Sequence, residues 1–325
     1  MKIGLFLSSQ AAPHEDPDTR LNQLVEQVKT AEEQGFSSVL LGHHYLTNSQ
    51  FFQPLSLLNY LISHTFKIRL GFGVYLLPLH NPLALAEEFA TMDTLCSGRL
   101  IVGAGTGYRE KEYSALGVPF EERFTRLEEY VPLVKKLWLG ESVTTEGSFG
   151  RLDSAKIHLL PKQKGGPPIW LGAFGTVGIR RAAALDTSWL APPDGDRITL
   201  QERYDTFRET LDSRGFSIER DYPLMREVIV ANDSRTAIEN AKRYLLEQYR
   251  GYKSWGSVKD LSDEEILRDF ALVGTTDMIG EAIEWYSQNL GVTEIIMRIE
   301  WMGMDHAAVI ESIQSIGEKL LNKVD

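Results

Sequence analysis

The sequence predicts an α/β fold: a parallel eight-stranded (β/α)8 TIM barrel over residues 1–325 as a single domain, with an extra hairpin and a lid insertion. Three observations carry this. Eight short apolar runs alternate with segments of helical periodicity along nearly the whole chain, the order that winds a parallel sheet inside a ring of helices. Runs such as Leu100-Ile101-Val102 lack apolar–polar alternation, as expected of strands buried on both faces. No linker, low-complexity tract or internal repeat divides the 325 residues.

In order, Ile3–Ser8 reads as strand one. A helix follows over about Thr19 to Gln34, with Asp16 and Asp18 as caps, Leu21, Leu24, Val25 and Val28 on one face, and Gly35 as its stop. Ser38–Leu41 is strand two, and Pro54 to about His64 the next helix. Ile68–Leu77 is strand three. Asn81 caps a helix that opens on Pro82 and runs to Cys96. Strand four lies within Gly98–Gly117, and an amphipathic helix spans about Glu121–Leu139. Val143–Leu159 reads as a hairpin turning at Gly147 and Gly150. Ile169–Leu171 is strand five, Val177–Leu185 a helix, Ser188–Ala191 strand six, Thr199–Ser213 a helix and Leu224–Ala231 strand seven. Helices are expected at 234–250, 262–271 and Thr276–Leu290, strand eight at Thr293–Ile299, and a last helix at Asp305–Leu321. The inserts 140–166 and 250–275 are expected over the barrel mouth, with the polar segment Arg250–Leu261 as a lid.

A net charge of −11 argues against nucleic acid, which demands a basic face, and against an acidic membrane surface. No apolar run reaches the roughly 18 residues of a spanning helix, and the opening Met1–Leu7 is shorter than a signal-peptide core. Cys96 is the single cysteine, so no internal disulfide forms, which fits a cytoplasmic protein.

In such a barrel the site is built at the carboxyl ends of the strands. Those ends read Ser8-Ser9-Gln10, Gly42-His43-His44-Tyr45, Gly73-Val74-Tyr75, Gly105-Thr106-Gly107-Tyr108, Gly172–Thr176 and Glu300-Trp301-Met302. They are rich in glycine, rings and histidine and poor in carboxylates. A glycosidase needs two carboxylates flanking a bond and a metal hydrolase needs His, Asp and Glu on several ends; neither set is present, and no metal site is expected. Glycines at 103, 105 and 107 let a backbone or a flat ligand come close, so a broad apolar ring system lying on backbone fits. Gly103–Gly107 is not a dinucleotide fingerprint, because the third glycine of that pattern falls on Tyr108 and earlier strands precede it. His43 and His44 point to opposite faces if they continue a strand; the one facing the centre is a candidate proton donor or acceptor near neutral pH. Gly172-Ala173-Phe174-Gly175-Thr176 opens a helix whose free N–H groups, with Arg180 and Arg181 after them, suit a phosphate.

These residues resemble the luciferase-like flavin monooxygenases. The resemblance rests on Ala31-Glu32-Glu33-Gln34-Gly35-Phe36 with His43-His44-Tyr45, on Leu70-Gly71-Phe72-Gly73 through Pro78-Leu79-His80-Asn81-Pro82, on Ala86-Glu87-Glu88 and on the Gly98–Gly117 stretch. Pro167-Pro168-Ile169-Trp170, Arg180-Arg181-Ala182-Ala183, Val273-Gly274-Thr275 and Gly291-Val292 extend it over nearly the whole chain. It implies a parallel barrel, a homodimer, and FMN at the strand ends. It also implies a non-prolyl cis peptide at Gly73–Val74 beneath the flavin ring and phosphate near Gly105, Thr106, Tyr108 and the strand-five turn, with His43 matching the family's catalytic histidine. Two positions depart: Gly42 stands where the luciferases have a glutamate, and Thr106 where they have a phosphate-holding arginine.

The expected activity is that of an FMN-dependent monooxygenase using reduced FMN and O2 on a small, apolar organic substrate, with Trp301, Met302 and Tyr75 near it. No nicotinamide fingerprint is present, so a separate flavin reductase would supply reduced FMN. The alternatives are a deazaflavin-dependent dehydrogenase or reductase of the same superfamily and a non-catalytic flavin-binding protein.

Overall fold

The computed structural model describes residues 1–254 and 261–321. Its centre is a parallel sheet of β1 (Lys2–Leu7), β2 (Ser38–Leu41), β3 (Arg69–Phe72), β4 (Leu100–Gly105), β5 (Ile169–Gly172), β6 (Ser188–Leu190), β7 (Pro223–Val230) and β8 (Glu294–Arg298). The order across the sheet is β6-β5-β4-β3-β2-β1-β8-β7. The sheet curls: Ala191, just past β6, donates to Pro223 O (3.0 Å) and accepts from Met225 N (2.9 Å), so the exit of β6 meets the start of β7. Two short strands exceed the expected eight. Tyr75–Leu76 pairs with the end of β4, and Ala271–Gly274 pairs with the outer half of β7. Ala271 therefore lies in a strand, and the helix expected over 262–271 stops at Asp269.

The helices begin where the caps place them. α1 (Pro17–Glu33) is capped by Asp16, which accepts from Thr19 N. α2 (Pro54–Ile62) opens on its proline, and Asn81 caps α3 (Pro82–Leu95) by accepting from Leu83 N and Ala84 N. The sequence did not announce α4 (Glu110–Ala115), which follows β4. α5 (Arg123–Trp138) and α6 (Gly175–Ala184) border the site.

Inside the curl the side chains stack in layers. At the amino-terminal end Glu294 accepts from Ser37 Oγ and Ser38 Oγ (both 2.6 Å) and pairs with Arg69. Above it Leu40, Ile101, Trp170, Leu190 and Ile296 form a dry plug against which Phe6, Val74 and Met225 pack. The cavity opens on top of that plug, at the carboxyl ends.

The hairpin is present as Val143–Gly147 and Gly150–Ala155, but not over the mouth. Glu129 of α5 accepts from Ser148 N (2.9 Å) and Oγ (2.7 Å), and Phe149 meets Tyr130 edge-on, so the hairpin clasps the outer flank of α5. The expected lid, Arg250–Leu261, runs through 255–260, outside the described residues; its first part, up to Ser254, belongs to the helix Leu246–Ser254. No helix among the described residues is long and apolar enough to cross a membrane.

Candidate active site

The carboxyl ends of β1 to β6 and of β8, with Met225 near the start of β7, converge on one cavity of about 700 Å³. Its shelf is Val74. The Gly73–Val74 peptide is cis, at the position the resemblance implies. Val74 fills the space that a side chain on either neighbouring strand would need: a Cβ on Gly105 would lie 2.4 Å from Val74 Cγ2, and one on Gly172 2.6 Å from Val74 Cγ1. Below, a Cβ on Gly103 would lie 1.6 Å from Phe72 O. The alternate glycines of β4 are therefore spent on the neighbouring strand: Gly103 admits the backbone of β3 and Gly105 admits Val74. What they build is a shallow apolar step at the cavity floor.

One wall carries the histidines. His43 is buried, with Nδ1 accepting the Leu76 N–H (3.3 Å), which puts its proton on Nε2; that atom has no hydrogen-bond partner in the protein. Tyr75 and Tyr45 pack on its ring (centroids 4.4 and 4.7 Å), and His80 lies parallel at 5.7 Å. Burial, then the neighbouring His80 and His44, push its pKa down to about 3. His43 is thus a neutral imidazole at pH 7, which corrects the expected titration near neutrality. His44 also borders the cavity, so both histidines do, because the chain leaves strand geometry after Leu41. His44 Nδ1 lies 3.1 Å from Glu112 Oε1, an oxygen that also accepts from Tyr45 N (2.9 Å) and Arg109 Nη1 (2.8 Å). These bonds hold the Glu112 carboxyl below the usual range against the opposing effect of burial. α4 thereby fixes the loop that carries the histidines.

At the exit of β4, Thr106 and Tyr108 line the cavity; Tyr108 sits edge-on to His44 at 5.8 Å, and Thr106 O accepts from Tyr113 OH. At the exit of β5, Gly172, Ala173 and Phe174 line it, while Gly175 and Thr176 lie outside on the exposed first turn of α6, whose N–H groups no side chain caps. Arg181 reaches the cavity; Arg180, on the next spoke of the helix, is exposed and does not.

Sequence reasoning named Arg181 but missed Arg123, which completes the pair at this side of the cavity. Arg123 and Arg181 both pack on the ring of Phe124, with guanidinium carbons 4.3 and 4.5 Å from its centroid. Arg123 also covers Phe120 at 3.8 Å and donates to its carbonyl (2.8 Å), and Arg181 Nε donates to Glu128 (2.6 Å). Nothing in the pattern marks a helix start as part of the mouth. Arg298 was legible: it stands two residues after inward-facing Ile296, so it too faces inward. Trp301, Met302 and Tyr75 do not line the cavity. Trp301 is buried against the helices of the 237–271 region, Met302 is exposed, and Tyr75 lies behind His43. Glu300 forms a two-pronged ion pair with Arg20 (2.5 and 2.8 Å) and is structural.

Comparison with known proteins gives a consistent picture. A sequence model of the luciferase-like monooxygenase family matches residues 1–294. A 5,10-methylenetetrahydromethanopterin reductase of Archaeoglobus fulgidus is 27% identical, over 95% of this chain and 97% of its own. An F420-dependent glucose-6-phosphate dehydrogenase of Mycolicibacterium fortuitum is 30% identical over 74% of this chain and 73% of its own. Among solved structures, a monooxygenase from Streptomyces bottropensis superposes with a TM-score of 0.89 at 23% identity over 100% of both chains. The oxygenating constituent of 3,6-diketocamphane monooxygenase from Pseudomonas putida, in complex with FMN, superposes at 0.82 and 18% identity, over 100% of this chain and 99% of its own. These superpositions show the shared fold.

Proposed function

The chain belongs to the luciferase-like monooxygenase family, and we propose that this oxidoreductase is an FMN-dependent monooxygenase acting on a small organic substrate. The observation that carries the reading is the Val74 step, seated between Gly105 and Gly172, with Arg123, Arg181 and the uncapped start of α6 at one end of the same cavity. A flat ring system with a phosphate tail matches that layout: the ring on the step, the phosphate against the guanidinium groups, which make the strong, charge-assisted contacts. Arg123 and Arg181 would then stand in for the arginine that Thr106 replaces.

Bound FMN supplies the redox chemistry with O2; the chain's residues supply the rest. Phe6, Leu171, Leu190 and Met225 keep water from the ring's surroundings. His43, held neutral by its burial, presents Nε2–H as a proton donor at the edge of the step. Glu112 fixes the loop through His44, Tyr45 and Arg109, so His43 is held in one orientation. A separate reductase that delivers reduced FMN, a homodimeric assembly and a closed (β/α)8 barrel belong to the same reading.

A deazaflavin-dependent hydride transfer is the second reading, favoured by the identity to the Mycolicibacterium fortuitum dehydrogenase. Titration of the purified chain with FMN, riboflavin and F420, followed by oxygen-electrode assays with reduced FMN, separates the two. FMN bound more tightly than F420, with oxygen uptake that a substrate stimulates, is the expected result. F420 bound in preference to FMN, with no oxygen uptake, overturns the monooxygenase.

A further inference from the structure

The exits of β1 and β2 meet at one wall of the cavity. Leu7 and Leu41 are register partners, and Ser9 and His43 each stand two residues beyond them. A Cβ on Gly42 would lie 3.1 Å from Phe6 Cζ, so the two exits stay in contact past the paired leucines. One strap ties them together: Phe52 N donates to Ser9 O (3.1 Å), and Gln53 Nε2 donates to His44 O (3.1 Å). The backbone on either side of Ser9 is fixed as well. Ser8 Oγ donates to Glu300 O (3.1 Å), Arg20 Nη2 donates to Ser8 O (2.5 Å), and Gln10–Ala11 pairs antiparallel with Gln50–Phe51.

Ser9 borders the cavity and is 2% exposed, and its Oγ has no hydrogen-bond partner among the described residues. A buried hydroxyl is rarely left unanswered in a native protein, because it gives up water without a replacement. On the neighbouring exit His43 carries its proton on Nε2, since Nδ1 accepts from Leu76 N. The two residues thus offer two donors on fixed backbone. No Asp or Glu stands among the described residues lining the cavity, so no carboxylate is there to answer an amine. Phe6, Phe51 and Met225 make the nearby lining apolar. Two donors on an apolar wall suit an acceptor with two lone pairs and no proton to place, which is a carbonyl oxygen. Both bonds would also polarise that C=O group.

We propose that Ser9 is a specificity determinant: with His43 it receives the oxygen of an uncharged carbonyl compound on an apolar frame. This rests on the cavity being the reaction site of the proposed oxidoreductase, and it narrows the small, apolar substrate expected from the sequence.

The test is calorimetric titration of the full chain, with and without FMN, for the parent, Ser9→Ala and Ser9→Thr. The probes are cyclooctanone, cyclooctanol and methylenecyclooctane, in which a CH2 group stands for the oxygen. Ser9→Ala should lower the affinity for the ketone relative to methylenecyclooctane by about fivefold, the worth of one neutral hydrogen bond. Ser9→Thr, which keeps the hydroxyl, should restore most of it. Cyclooctanol, which brings a proton of its own, should lose less than the ketone. FMN affinity should stay within about twofold of the parent's in both variants. An unchanged ratio in Ser9→Ala overturns the proposal, as does a parent that binds no ketone. A loss for cyclooctanol as large as the ketone's overturns the carbonyl assignment. If Ser9→Ala weakens FMN as much as the ketone, Ser9 serves the cofactor and the proposal fails. If Ser9→Ala does not fold, Ser9→Cys, whose thiol is a weak donor, takes its place. A ratio that shifts as expected in a chain that binds no FMN defeats the cofactor reading and leaves the assignment of Ser9 intact.

Discussion

Gly105→Ala probes the step on which the functional reading stands. The backbone at Gly105 is outside the left-handed region, so an alanine is tolerated there as far as the main chain goes; the obstacle is Val74. The new Cβ would lie 2.4 Å from Val74 Cγ2 and 3.2 Å from Val74 Cβ, whereas carbons rest at about 3.5–4.0 Å. Val74 must move by about 1 Å. On the other side Val74 Cγ1 already packs close against Gly172, where an added Cβ would lie only 2.6 Å from it, so the side chain is driven up into the cavity. Overpacking of this kind costs about 1–3 kcal/mol. Val74→Ala removes the two methyl groups and by itself costs about 1–2 kcal/mol. In Gly105→Ala/Val74→Ala the colliding Cγ2 is gone, so the double variant should be more stable than the sum of the singles by about 1–2 kcal/mol. Equilibrium urea unfolding of the four proteins measures this. FMN and riboflavin titrations of the same four should show both flavins weakened alike by Gly105→Ala, and both recovered in part by the double variant. Strict additivity, within about 0.5 kcal/mol, would refute the idea that Gly105 exists to seat Val74.

Arg123→Met and Arg181→Met should each weaken FMN by about tenfold and leave riboflavin unchanged in fluorescence titrations; an equal loss for both flavins would place the two arginines away from the phosphate. His43→Ala should keep FMN binding and lose turnover by about 10²–10⁴-fold, read as substrate-dependent oxygen uptake. The same histidine, with His80, sets an acid sensitivity. Their pKa values fall from 6.5 to about 3 and about 4 in the folded chain, in both cases chiefly through burial, so the unfolded state binds more protons between those values and stability falls as pH drops below about 6.5. At about pH 5 each contributes up to about 2 kcal/mol of that loss, and His43→Gln should flatten the profile in denaturant midpoints measured from about pH 7 to 5; an unchanged slope would mean that His43 titrates normally.

The sequence alone determined the order and kind of the main elements, because their signals are local. Asp16 and Asn81 cap helices from within a few residues, and uninterrupted runs such as Leu100-Ile101-Val102 report burial on both faces. It also placed His43, Thr106, Tyr108 and Gly172 at the carboxyl ends, where one cavity gathers them, and the resemblance put the cis peptide at Gly73–Val74. Only the tertiary structure decided what those residues do there. Gly105 and Gly172 lie far apart in sequence, and both are needed to hold Val74, a three-strand packing relation with no local trace. His43 is neutral because Tyr45, Tyr75 and His80 close over it, and desolvation depends on the whole enclosure. The clamp of Arg123 and Arg181 on Phe124 joins two helices whose sequences look like ordinary amphipathic segments. Arg298 lies between these cases: the two-residue period of β8 turns it inward beside Ile296, but only the curl of the sheet brings it to the same cavity as Val74.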